Sequence, residues 1–292
     1  MNIYVIYNPL AGHGDSEAAA KEAAARFEEG EITYHNITEI TDYAAFFAPV
    51  CADDKILLCG GDGTVNRFIN ATDGLKMPCE ILYYAIGTGN DFLNDLNKKA
   101  GCEPFALNNY MENLPLVEVN GEKHRFLNGV GYGIDGYCCE VGDRMKATSD
   151  KPVNYTAIAI KGLLFHYKPA NATVTVDGQS YSYKKVWIAA SMKGRYYGGG
   201  MQVAPRQDRM NPDKTVTVVI MYGSGKLKTL MVFPSIFKGE HVKHTEMVAV
   251  HTGKEISVSF DRPTALQVDG ETFLNVTNYR VSATAGVPAE VH

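Results

Sequence analysis

The chain has 292 residues, 45% of them hydrophobic and 21% charged, with a formal charge of −5. That length suits two domains with a substantial core. The composition is that of a soluble globular protein, and the acidic balance argues against a dedicated nucleic-acid binder, which needs a basic face.

The opening residues, MNIYVIYNPLAG, lack the basic start and longer apolar run of a signal peptide. The longest apolar stretches, 153–167 and 227–237, are interrupted by Lys161 and Lys228. Neither reaches the ~18 uninterrupted apolar residues of a membrane-spanning helix. Six cysteines form no CxxC pair and match neither a disulfide framework nor a zinc site. A reduced, cytoplasmic setting is the expectation.

In chain order, 3–8 reads as a strand. The alanine-rich stretch 15–29 (DSEAAAKEAAARFEE) reads as a helix capped by Asp15 or Ser16. Strand 32–37, helix 42–50, strand 55–59, helix 64–71, strand 81–86 and helix 90–96 follow. This repeated βα rhythm predicts an open parallel sheet with helices on both faces. From about 116 the rhythm changes. Asn120-Gly121, Asp177-Gly178 and Asp269-Gly270 each sit between strand-like runs and signal tight hairpins. The second part is therefore expected to be mainly an antiparallel β-sandwich, with helices at 154–167 and 226–237. The expected domains are 1–116 and 117–292, with the last strand free to return to the first domain.

Three strand-to-helix turns of the first part are rich in Gly, Asn, Thr and Asp: NPLAGHG (8–14), GGDGT (60–64) and GTGND (87–91). In an open parallel sheet such turns gather at the carboxyl edge of the strands, where ligands bind. Helix N-termini there offer unpaired N–H groups and a positive dipole end, which suit phosphate. Glycine lets the backbone approach closely. Thr64 and Thr88 add hydroxyls, and Asn8, Asn66 and Asn90 add amides. The set reads as a nucleotide-phosphate cradle, although neither GxxxxGK[ST] nor a GxGxxG after the first strand is present.

GGDGTVN, with NPLAG before it and GTGNDF after it, resembles the diacylglycerol-kinase catalytic domain of bacterial soluble lipid kinases and their sphingosine- and ceramide-kinase relatives. The resemblance continues in order through FLNGVGYGID (126–135), GRYYGGGMQVAP (194–205) and QVDGE (267–271), so it spans nearly the whole chain. It implies that ATP binds between the domains. The matching contacts are Asn8, Pro9, Leu10, Ala11 and Gly12, then Gly61, Asp62, Gly63, Thr64, Val65 and Asn66, with Thr88 of GTGND. Thr38 is added on its position after the second strand. The resemblance makes Glu271 the acceptor of the lipid hydroxyl proton, with Asp269 beside it, because an attacking hydroxyl must lose its proton. It implies Mg²⁺ on the phosphates, with Asp62 helping to hold the metal or the nucleotide. From the pattern alone, Asp269-Gly270 reads as a hairpin turn like Asp177-Gly178, and the two readings are compatible.

Other residues carry plainer readings. Tyr196, Tyr197 and Met201 of GRYYGGGM fit either a loop at a cleft or a core. Asp135 either faces the cleft or caps the helix that follows, and capping is the assignment made. His241 and His244 are assigned as solvent-exposed or hydrogen-bonded rather than metal ligands, and Cys138 and Cys139 as packing residues. Two departures from the family pattern stand out. Arg67 replaces the Glu usual after GGDGTxN, and Lys214 follows Asp213 where a metal loop ends in Asp-Gly. Asp208 and Asp213 are the metal candidates in the stretch that corresponds to that loop, RQDRMNPDKTV (206–216).

The expected function is transfer of the γ-phosphoryl group of ATP to a lipid hydroxyl, diacylglycerol-like by default. The alternatives are an NAD-kinase-like enzyme with a soluble acceptor and a nucleotide-binding regulatory protein without turnover. The expected partners are a lipid with a free hydroxyl, the face of a membrane touched peripherally, and a second copy in a homodimer.

Overall fold

A computed structural model describes residues 1–11, 16–86, 90–149 and 153–283. The chain divides into two compact units at Leu114/Pro115.

The first unit contains β1 (Asn2–Tyr7), α1 (Ser16–Ala24), β2 (Glu31–Asn36), α2 (Tyr43–Phe47), β3 (Lys55–Gly60), α3 (Asp62–Ala71), β4 (Glu80–Ala85), α4 (Asp91–Asp95), β5 (Phe105–Ala106) and α5 (Asn108–Met111). The sheet order is β2-β1-β3-β4-β5. The first four strands run parallel and β5 antiparallel. Helices cover both faces, as the alternation of the strands requires. Ile3, Val5, Leu57 and Cys59 pack against Ala20, Ala23 and Ala24 of α1. Small alanines let that helix lie close to the sheet. On the other side, Tyr4, Tyr43, Phe46, Phe47 and Phe68 form an edge-to-face aromatic layer under α2 and α3. The helix read from 15–29 is α-helical only to Ala24 and then tightens, with Phe27 N–H donating to the Ala24 carbonyl. Asp42 caps α2 as its position predicts, accepting from Ala45 N–H at 3.0 Å.

The second unit contains β6 (Leu116–Val119), β7 (Glu122–Arg125), β8 (Gly129–Gly133), α6 (Ile134–Lys146), α7 (Tyr155–Lys161), β9 (Ala170–Val176), β10 (Gln179–Val186), β11 (Ile188–Met192), β12 (Val216–Met221), α8 (Lys226–Val232), β13 (Val248–Gly253), β14 (Glu255–Val268) and β15 (Glu271–Ser282). Its strands form one antiparallel sheet, β13-β12-β11-β8-β14-β15-β6-β7, with β9 and β10 branching from β14. The long β14 pairs with β9 in its first part and with β8 in its last, so the sheet wraps around an apolar interior. There Tyr132 stacks on Phe260 at 3.8 Å. The last described strand, β15, pairs with β14 and β6 inside this unit.

The two helices expected in this part each change type along their length. Asn154 caps α7, which runs into a π-helical turn at Gly162–His166. After α8, Pro234 begins a 3₁₀ segment, Phe233–Lys238, because proline cannot continue the α hydrogen-bond ladder. Helix α6 lies against β14 through Gly136, where a Cβ would meet the Ala265 carbonyl oxygen at 2.0 Å.

Candidate functional site

From β1 the chain crosses to β2 on one side, and β3 lies on the other. This is the switch point of an open sheet, where the ends of adjacent strands leave a crevice. Tyr7 and Cys59 face each other there, and the chain turns into Asn8 on one strand and Gly60-Gly61 on the other. Asn8 organises its own turn, its Oδ1 accepting from Leu10 N–H at 3.0 Å and its carbonyl from Ala11 N–H at 3.0 Å. Its Nδ2 donates to Thr64 Oγ1 at 3.1 Å, which ties the turn after β1 to the first turn of α3. Pro9 is half-buried and Leu10 is exposed.

The glycines of GGDGT have different reasons to be there. A Cβ on Gly60 would sit 2.3 Å from Thr64 Oγ1, so Gly60 is needed for packing. Gly61 is the N-cap of α3 and accepts through its carbonyl from Thr64 N–H at 2.9 Å. A Cβ on Gly63 would meet nothing within 4 Å. Packing therefore gives no reason for glycine at 63, and the space beside it is open. Thr64, Val65 and Asn66 are buried, and Asn66 Oδ1 accepts from Asn70 Nδ2 at 3.3 Å. Asp62 Oδ2 accepts from Asp91 N–H at 2.8 Å and Phe92 N–H at 3.2 Å, so it joins the starts of α3 and α4. Thr38, in the turn after β2, donates from its N–H and Oγ1 to Asn36 Oδ1 at 3.0 and 2.8 Å. Gly12 and Thr88 lie outside the described residues. Arg67 is exposed on α3, and its charge opposes the burial that pushes the Tyr43 hydroxyl up to about 12.

In the second unit Asp269-Gly270 forms the two-residue turn between β14 and β15, with φ of +45° and +95°. Val268 pairs with Glu271 across it. The Asp269 carboxylate is turned onto the neighbouring backbone. It accepts from Leu127 N–H at 2.5 Å, Asn128 N–H at 2.9 Å and Gly129 N–H at 2.9 Å. Glu271, two residues on, is exposed. The pattern thus separates two carboxylates. One clamps backbone, and the other is exposed on the strand that leaves the turn.

Three residues that the sequence reading passed over belong to this corner. Arg209 is buried and donates to the Leu127 carbonyl at 3.3 Å and to Asn128 Oδ1 at 3.0 Å. The Asn128 carbonyl accepts from Lys193 N–H at 2.9 Å. Burial, with Arg209 as a second cause, lowers the buried Lys193 ammonium to about 8, against the pull of Asp208. The sequence signals were the Asn of FLNG and the second Arg of RQDR, but nothing local says that they meet.

Asp135 does not cap α6. Gly133 holds the N-cap position with φ of +106°, and Asp135 lies inside the first turn. Its Oδ2 is buried with no hydrogen-bond partner among the described residues. A Cβ on Gly131 would lie 2.4 Å from that oxygen, 2.6 Å from Gln267 Nε2 and 2.9 Å from the Tyr197 ring. Burial raises this carboxyl to about 8, so desolvation outweighs the favourable helix dipole. Tyr197 and Met201 are core residues, and Gly198, Gly199 and Gly200 between them all have positive φ. His241 is buried and donates from Nε2 to the Val203 carbonyl at 3.0 Å. All six cysteines are free of disulfides.

Among the described residues no cluster of three or more His, Cys, Asp or Glu is gathered for a metal. Asp208 Oδ1 accepts from Met210 N–H at 2.9 Å within a loop organised by Asn211, which binds Thr215 from both amide atoms. Lys214, where the family pattern has Gly after Asp213, still adopts φ of +51°. The loop keeps a glycine-like conformation at a cost of about 1 kcal/mol for the lysine.

The diacylglycerol kinase catalytic domain matches residues 2–115, and the YegS C-terminal NAD kinase beta sandwich-like domain matches residues 128–285, more than half of the chain. The chain is 26% identical over 257 residues to a diacylglycerol kinase of Mycobacterium tuberculosis, covering 84% of this chain and 81% of that one. It is 23% identical over 281 residues to a diacylglycerol kinase of Bacillus subtilis, covering 91% and 88%. A crystal structure of a diacylglycerol kinase from Bacillus anthracis str. Sterne superposes with a TM-score of 0.61 at 20% identity, covering 96% of this chain and 93% of that one. The glycine-lined switch point of the first unit and the Asp-Gly-Glu turn of the second each lie within one of these two matched spans, and the chain belongs to the diacylglycerol-kinase-type lipid kinase family.

Proposed function

We propose that this protein transfers the γ-phosphoryl group of ATP to the hydroxyl of a lipid, diacylglycerol or a close analogue. The observation that carries the ATP half is the switch point. Gly63 leaves open space beside the N-terminus of a ten-residue helix, and Asn8 and Thr64 brace the two turns that flank the crevice. Backbone N–H groups and the dipole there favour phosphate. Asn8–Ala11, Gly61–Asn66 and Thr38 are the residues in our reading that hold the nucleotide.

The carboxylate half rests on Glu271. Exposed at the first position of β15, directly after a two-residue turn, it is positioned by a hairpin rather than by a loose loop. In the reaction the lipid hydroxyl oxygen bonds to the γ-phosphorus and the bond from that phosphorus to the β–γ bridging oxygen breaks. ADP leaves, and the hydroxyl proton passes to Glu271. Asp269 supports the step by fixing the turn to residues 127–129. Mg²⁺ supplies charge neutralisation on the phosphates when bound. Asp62 of the first unit, half-buried at the start of α3, is the carboxylate that would help to hold the metal or the nucleotide, and Asp208 and Asp213 are candidates for a separate metal in their own loop.

The test is transfer of labelled γ-phosphate from ATP to lipids in detergent micelles. A labelled diacylglycerol product that disappears in Glu271→Gln, with ATP binding retained, supports the reading. Labelling of a soluble acceptor alone overturns the lipid assignment. ATP binding with no transfer to any acceptor points to a regulatory protein, and Arg67 is then the first residue to revert to Glu.

A further inference from the structure

Helices α7 and α8, with the π-helical and 3₁₀ segments that continue them, are apolar on both sides. Inward, Ile158, Ala159, Leu163, Val232, Phe233 and Ile236 join the core of the second unit. Outward, Phe165 is 71% exposed, Leu227 72% and Met231 75%, with Ile160 and Phe237 at 40% each. Leu227 and Met231 are four residues apart and share one face of α8. Lys226 Nζ donates to the Leu164 carbonyl at 2.8 Å, holding the start of α8 beside the π-helical turn. The start of α8, with its exposed Leu227, therefore lies beside the turn that carries the exposed Phe165. A soluble surface rarely gathers such side chains without something to cover them.

Charge decides what covers them. Residues 155–170 and 225–239 contain Lys161, Lys168, Lys226, Lys228 and Lys238, and no Asp or Glu. They carry +5 in a chain of net −5, so the remaining residues sum to −10. Lys228 meets Glu246, from outside these segments, at 2.9 Å. Exposed aliphatic and aromatic side chains on segments whose own charges are all lysine match the boundary of an anionic bilayer, where apolar groups enter the acyl region and ammonium groups stay among the headgroups.

We propose that this face docks the protein on an anionic lipid bilayer, with Phe165, Leu227 and Met231 inserting at headgroup depth. The docking stands apart from catalysis and holds even if the protein transfers no phosphate. The experiment is co-sedimentation of the full chain with vesicles of phosphatidylcholine alone and of phosphatidylcholine with phosphatidylglycerol. Two variants are compared, Phe165→Ser/Leu227→Ser/Met231→Ser and Lys161→Gln/Lys168→Gln/Lys238→Gln. Far-UV circular dichroism and thermal melting confirm their fold, which these exposed positions should not disturb.

The wild type should bind the anionic vesicles preferentially and lose binding as salt is raised. The apolar variant should bind them about tenfold more weakly or worse. The lysine variant should lose the preference for phosphatidylglycerol, again by roughly tenfold. Equal binding by wild type and apolar variant would overturn the proposal, as would a wild type that binds neither vesicle. Light scattering that finds a dimer, converted to monomer by the apolar variant, would assign the face to self-association instead.

Discussion

Two hairpins of the second unit share a local sequence and a local structure. Asp177-Gly178 and Asp269-Gly270 both close two-residue turns, with φ of +47° and +85° in the first and +45° and +95° in the second. Both aspartates also reach sideways to a third piece of chain. Asp177 Oδ1 accepts from Lys254 N–H at 2.9 Å and Glu255 N–H at 2.8 Å. Asp269 accepts from three consecutive N–H groups at 127–129. The difference lies in what surrounds the clamp. The first turn is exposed and continues into Gln179. In the second, Asp269 is half-buried, the chain continues into Glu271, and the clamp grips a segment that also holds buried Arg209 and the backbone of Lys193. A turn motif can be read locally, but its chemistry depends on which segment the rest of the fold brings against it.

The comparison can be broken most severely at the residue after each turn. Glu271→Gln should lower phosphoryl transfer by roughly 10²–10⁴ with ATP affinity and melting temperature unchanged. Gln179→Glu, which writes Asp-Gly-Glu into the other hairpin, should change neither rate nor stability. Kinetic assays on both variants give the answer, and an active Glu271→Gln enzyme would remove the assignment of the base.

Next come the clamps. Asp269→Ala removes three hydrogen bonds to an ionised acceptor and strands backbone donors, so denaturant unfolding should show a loss of about 3–5 kcal/mol. Asp177→Ala, at an exposed turn with two such bonds, should lose about 1–2 kcal/mol because water replaces the carboxylate. Equal losses would mean that the buried surroundings of Asp269 add nothing.

A third aspartate sharpens the contrast, since Asp135 Oδ2 has no hydrogen-bond partner among the described residues. Its carboxyl sits at about 8 in the folded protein against an ordinary value of 3.8. Between those values the folded protein keeps a proton that the unfolded chain has lost, so this group makes stability fall as pH rises. Burial holds His241 down at about 4 against 6.5, and there the unfolded chain binds the extra proton, so stability rises between pH 4 and 6.5. The two slopes offset each other from about pH 4 to 6.5, and from 6.5 to 8 only the Asp135 slope remains. Melting temperature against pH should therefore decline above 6.5 in the wild type and stay flat there in Asp135→Asn. A wild type without that decline would show that the carboxyl is solvated.

The smallest effect separates two kinds of glycine. Gly270 is required by its backbone, which lies in the left-handed region. Gly63 is required by neither its backbone nor its neighbours. Gly63→Ala should raise stability by about 0.5–1 kcal/mol, the helix preference for alanine, while weakening ATP binding measured by calorimetry. Unchanged ATP affinity would move the phosphates away from the α3 turn.

The sequence by itself determined the alternating βα rhythm, because apolar runs and capped helices repeat locally. It determined all three X-Gly hairpins, because type I′ turns need positive φ at both central residues. It also marked the glycine-rich turns and, through the ordered family motifs, Glu271. What only the tertiary structure decided depends on partners far apart in sequence. Asp135 became a buried carboxyl rather than a cap because Gly133, Gly136 and β14 draw α6 against the sheet. Asp269 became a clamp on residues more than a hundred positions away. Arg209, with no motif of its own, found Leu127 and Asn128 through the packing of the antiparallel sheet. The physical reason is the range of the forces involved. Backbone propensity and turn chemistry act over a few residues, whereas desolvation and the pairing of buried polar groups depend on which distant segment lies alongside.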